Sequence, residues 1–142
     1  MRVLAKHFRN SVILGGVELV NLTAKPIYVL TTGGFDPACP EQIIEIRPEG
    51  IIPSVQVKEH EVSRVGEIPV VKYRAGDVTG LPEQHEGVYY IVDAVTAQCM
   101  KGRRGDLLVP IKPQKRINDR GEEVVVFTAF ATFVSVPDED EE

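Results

Sequence analysis

β-Branched aliphatic residues set the limits on what this chain can become: 21 Val and 11 Ile stand against 8 Leu and 8 Ala. Such side chains lose rotamer freedom in a helix and pack readily on a pleated surface. The sequence is also cut into short pieces by 12 Gly and 10 Pro, the strongest local breakers of regular structure. No stretch holds a helical period beyond about two turns. The expected fold is mainly β, α+β in detail: a single compact barrel-like or sandwich domain of about six to nine short strands with one short helix near 94–101.

Strands are expected at Val17 to Leu22, Ile27 to Thr31, Ile43 to Arg47, Ser54 to Val62, Ile68 to Tyr73, Tyr89 to Val92 and Leu107 to Ile111. Gly33 to Pro40 reads as a loop, and Pro48-Glu49-Gly50 and Ala75-Gly76-Asp77 read as turns. In the Ser54 to Val62 stretch neither face stays apolar, so this strand should run out beyond the core. Asp93 can cap a helix over Ala94 to Lys101, with Gly102 at its end. Lys115 to Ile117, the turn Asn118 to Gly121 and Val124 to Val134 form an expected closing hairpin. Its last strand is apolar on both faces, as a central strand is. The organisation is an N-terminal segment 1–16, a β-rich domain 17–136 and a disordered acidic tail 137–142.

The formal net charge is −5, and Asp138, Glu139, Asp140, Glu141 and Glu142 account for it. The rest of the chain is neutral, which excludes a strongly basic nucleic-acid binder. Against that background, residues 101–120 gather Lys101, Arg103, Arg104, Lys112, Lys115, Arg116 and Arg120 against only Asp106 and Asp119. Guanidinium forks match phosphate or carboxylate oxygens in two-point contacts, and Gly102 and Gly105 let a ligand approach the backbone. Arg103, Arg104, Asp106, Lys112, Lys115 and Arg116 are therefore the candidate ligand-binding set for an anionic small molecule or a nucleic-acid backbone. The bland alternative is a solvated hairpin whose charges protect a sheet edge.

Asn21 and Thr23 interrupt an apolar strand, where a buried amide or hydroxyl must find a partner. They line a pocket or satisfy the turn before Pro26, and the structural role is the favoured one. His7, His60 and His85 fall in no zinc-binding spacing. Neither Cys39 nor Cys99 has a sequence-fixed histidine partner, and Cys99 reads as a core thiol. No phosphate loop, nucleophile elbow or dinucleotide fingerprint is present, so no metal, cofactor or catalytic residue is assigned.

Several short pieces recur in a fixed order. They are Val20-Asn21-Leu22-Thr23 with Pro26, Pro53, Gly66 with Ile68-Pro69-Val70-Val71, Gly80-Leu81-Pro82, Gly87-Val88-Tyr89-Tyr90-Ile91-Val92, and Arg104 with Asp106-Leu107-Leu108-Val109-Pro110. The series resembles a family of small proteins encoded in bacterial, phage and prophage genomes. Ala24-Lys25 stands where members carry Pro-His, and Asp93 replaces a Ser in a way that keeps a helix cap. The resemblance spans about residues 17–130. It implies a compact single domain, possessing no activity that carries over.

The expected function is that of a non-enzymatic accessory protein of viral or mobile-element origin, holding an anionic ligand on the basic set. Two alternatives stand beside it. One is an enzyme acting on a nucleotide-like phosphate compound with Asp106 or His60 as acid–base group. The other is an interaction module with no small-molecule site, for which an exposed apolar patch and the lack of a concave site are the signature. Short strands leave edges that small β proteins resolve by closure or self-pairing, so a homodimer is expected. The longest apolar runs fall short of the roughly 18 residues that cross a bilayer, and a cytoplasmic location with reduced thiols follows.

Overall fold

The short β-branched runs become nine strands and one helix among the described residues. The computed structural model describes residues 6–32 and 41–133. In chain order the elements are β1 (Val12–Leu14), β2 (Val17–Asn21), β3 (Ile27–Thr32), β4 (Glu41–Ile46), β5 (Ser54–Val65) and β6 (Ile68–Thr79). There follow β7 (Val88–Ile91), α1 (Ala94–Cys99), β8 (Leu107–Ile117) and β9 (Glu123–Ala131). The loop Gly33 to Pro40 with Cys39, the end of the last strand from Val134 and the acidic tail lie outside the described residues.

Seven strands form one sheet in the order β1-β2-β7-β8-β9-β3-β4. β2, β7 and β8 run parallel, with α1 as the crossover between β7 and β8. Just beyond β4 the chain returns to β2 through a parallel bridge, Asn21 to Pro48, where the Glu49 N–H donates to the Asn21 carbonyl at 2.9 Å. This bridge nearly closes the sheet into a barrel, which leaves few free edges.

Alternation then sorts the apolar residues onto two sides. Leu19, Ile27, Val29, Ile46 and Ile91, joined by Tyr89, Leu108, Phe127 and Phe130, cluster inside the barrel. Val20, Leu22, Val88, Tyr90, Val92, Leu107 and Val109 point the other way, beneath Ala97 of α1, Phe8 and Phe133. Parallel strands covered on both faces read as unbroken apolar runs, which is why Val88 to Val92 shows no clean period. β9, paired with both β8 and β3, is central as expected.

Four local expectations are corrected. The first concerns the N-terminal segment, which supplies β1, an antiparallel edge strand beside β2. Second, α1 stops at Cys99 rather than Lys101; its Asp93 cap does accept from the Thr96 N–H at 2.8 Å. Third, Leu107 to Ile117 is one strand across Pro110 and Pro113. Beyond Leu108 it pairs with β9 alone, so prolines lacking an N–H are tolerated on its open side.

The fourth is Ala75-Gly76-Asp77, which is a bulge rather than a turn. β5 and β6 continue past it as an antiparallel arm of two 12-residue strands, about 40 Å long at 3.4 Å per residue. Gly76 is required there because a Cβ would collide with the Gln56 carbonyl oxygen. The arm is capped by Gly66-Glu67, with Gly66 at φ 62 in the first loop position, as a tight hairpin demands.

Candidate functional site

The basic set between Lys101 and Arg120 does not act as a unit. Arg104 turns inward and is held by Asp106 in a two-point pair, Nε to Oδ1 and Nη2 to Oδ2, both 2.8 Å. Its Nη2 also donates to the Pro82 carbonyl at 3.1 Å, and the guanidinium lies 5.8 Å from the Tyr90 ring centroid. The bond to Asp106 raises the Arg104 pKa against the cost of burial. Lys115 pairs with Glu123 at 3.6 Å and Arg116 with Glu41 at 3.4 Å. Arg103 and Lys112 are exposed and make no ion pair among the described residues.

Lys112 has a backbone role. It sits at φ 57, a left-handed conformation costly for a residue with a Cβ. Opposite it, the Thr128 hydroxyl donates to the Lys112 carbonyl at 3.1 Å. Phe127 and Phe130, three residues apart, both reach the barrel interior. Strict alternation forbids that, and the kink at Lys112 lies between their partners Pro113 and Pro110.

Asn21 is wholly buried and fully engaged. Its amide donates to the Lys25 and Ile46 carbonyls at 2.8 and 2.9 Å, and its Oδ1 accepts from the Thr23 N–H and hydroxyl at 2.9 and 2.6 Å. The pair knots the β2–β3 turn to the end of β4.

A second polar centre went unread in the sequence. Glu18, 1% exposed, is gripped by the N-terminal segment. Its carboxylate accepts from the His7 and Phe8 N–H groups at 2.9 Å and from the Ser11 hydroxyl at 2.6 Å. His7 Nδ1 lies 3.0 Å from Oε1, and since an ionised carboxylate only accepts, that nitrogen carries the proton. Burial raises the Glu18 pKa, but the hydrogen bonds from Ser11, His7 and Phe8 outweigh it and the net shift is downward. His7 stacks on His85 at 4.8 Å, and Phe8 meets Tyr90 edge-on at 5.7 Å. The Tyr90 hydroxyl donates to the Glu83 carbonyl at 2.7 Å, and burial, then Asp106, raises its pKa. The signal for Glu18 was available: a lone acid inside Val17-Glu18-Leu19-Val20.

A concave feature does exist, where an interaction module was expected to have none, but it lies away from the basic set. A cavity of about 530 Å³ opens between the arm and α1, lined by Val57, Tyr73, Val95, Gln98 and Cys99. Cys99 is half-buried at its wall rather than in the core. His60 stands exposed on the arm, on a separate sheet from Asp106. Along the arm Val65 is 67% exposed, Ile68 68% and Tyr73 66%, with Val57 and Val62 also open to solvent. Large apolar side chains exposed on a two-stranded ribbon are the marked surface among the described residues.

Among the described residues no group of three His, Cys, Asp or Glu side chains is placed to hold a metal ion, and no helix is long and apolar enough to cross a membrane. No known protein family, curated protein or solved structure matches the chain.

Proposed function

We propose that this protein is a non-enzymatic interaction module that engages another protein chain through the β5–β6 arm. The observation that carries this reading is the arm itself: 12-residue strands extending from the barrel with Val62, Val65, Ile68 and Tyr73 uncovered. A ribbon of two strands is marginal on its own in water, and apolar side chains displayed on it gain burial only against a partner. A photo-crosslinking residue at Ile68, in the full chain in its producing cell, should give discrete protein adducts. The same residue at Ile117, equally exposed on the β8–β9 hairpin, should give none. Absence of adducts at Ile68, or equal yield at both positions, overturns the reading.

Anion binding at Arg103 or at Lys112 is the second reading, favoured by the exposure of each side chain without an ion pair among the described residues. A ligand of the native state raises the melting temperature. Phosphorylated metabolites or short oligonucleotides that do so in the parent but not in Arg103→Ala would select it.

A further inference from the structure

We infer that the arm's partner is a second copy of this chain, with the tip of one arm seated in the groove between the neighbour's arm and α1. This inference rests on the arm being an interaction element. Cross-strand partners in an antiparallel ladder point to the same side, so the register of β5 and β6 divides the arm into two faces. His60 pairs with Lys72 and Val65 with Ile68, while Lys58, Ser63 and Val70 share their side. Val57, Glu59 with Tyr73, and Glu61 with Val71 share the other, the side that overlooks α1. The Arg64–Glu61 ion pair at 3.1 Å lies on this second side, in agreement with a shift of alternation at Val62.

One face therefore carries Lys58, His60 and Lys72 with an apolar tip of Val65, Ile68 and Val70. The opposite face carries Glu59, Glu61 and the Arg64 that pairs with Glu61, with an apolar base of Val57 and Tyr73, extended by Val95 of α1. The two are complementary. Laid antiparallel, the tip of one arm covers the apolar base of the next, and Lys72 at mid-arm meets the mid-arm carboxylates. A contact between unlike faces is heterologous: every copy offers a tip to one neighbour and a groove to another, which builds rings or filaments. Opposite charges across the contact fix register and make it weaken with salt.

Sedimentation equilibrium on the full chain from about 1 µM to about 1 mM, a span of weak to moderate affinities, tests this. The mass should rise past that of a dimer with concentration and fall as salt is added. Ile68→Asp at the tip and Val95→Asp in the groove change exposed side chains and should leave the melting temperature in place. Each should weaken self-association roughly tenfold or more. Mixed together, the two variants retain one intact tip and one intact groove and should form a 1:1 heterodimer. A monomer throughout overturns the inference; adducts from Ile68 to a different protein would then leave the arm reading standing. Loss of association in Ile68→Asp but not Val95→Asp, or failure of the two variants to combine, also overturns it. Self-association indifferent to Ile68→Asp, with no adducts from that position, removes both readings together.

Discussion

Arg104 and Asp106 form a two-point ion pair with side chains only 15% and 5% exposed. The charge that stood out most in the sequence is thereby committed to the outer face of the barrel. Breaking a buried pair strands the remaining charge, at a cost of several kcal/mol. Arg104→Ala should lose about 3 kcal/mol, and Arg104→Met with Asp106→Leu should recover part of that. Chemical denaturation of the three proteins checks both statements.

Glu18 makes the acid limb of stability. A carboxyl whose folded-state pKa lies below its unfolded value stabilises the native state above the unfolded pKa. That contribution drains away as pH falls from about 4.5 through the depressed folded value. Glu18→Gln should cost about 2 kcal/mol at pH 7, since an amide NH2 would face donors. The gap between the two proteins should narrow below pH 4.5, as read from melting curves across pH.

Lys112 offers a test of backbone conformation against side-chain charge. Lys112→Gly should hold or raise stability, because glycine takes a positive φ without strain. Lys112→Val should lose about 1–3 kcal/mol. Near-ultraviolet circular dichroism should show the environment of Phe127 and Phe130 disturbed in the valine protein only.

Asn21 holds the barrel seam. Asn21→Ala removes the amide that donates to the buried Ile46 carbonyl and the oxygen that accepts from the Thr23 N–H. An unsatisfied buried polar group costs about 1–3 kcal/mol. Hydrogen exchange should quicken first at Glu49, whose N–H closes the bridge to β2.

What could be read in advance was local. Val and Ile content announced strands, Asp93 announced a cap, and Asn118 to Gly121 announced a turn that Asn118 Oδ1 does stabilise by accepting from Arg120 and Glu122. What could not be read was the fate of each charge, because partners are assigned by folding. Arg116 finds Glu41 from 75 residues away. Lys115 finds Glu123 only because the β8–β9 register brings them near. The arm was half legible: mixed faces over Ser54 to Val62 said that the strand would leave the core. Ala75-Gly76-Asp77 resembled a turn because a bulge uses the same small and polar residues.

Ser54 and Thr79 stand opposite each other, so the chain departs from the barrel and rejoins it at one gateway. The entropy of closing a segment grows only slowly with its length. Whatever lies between these two residues can be lengthened, shortened or exchanged without a change of plan in the seven-stranded sheet. Such a layout lets one chassis accept attachments of different length or sequence.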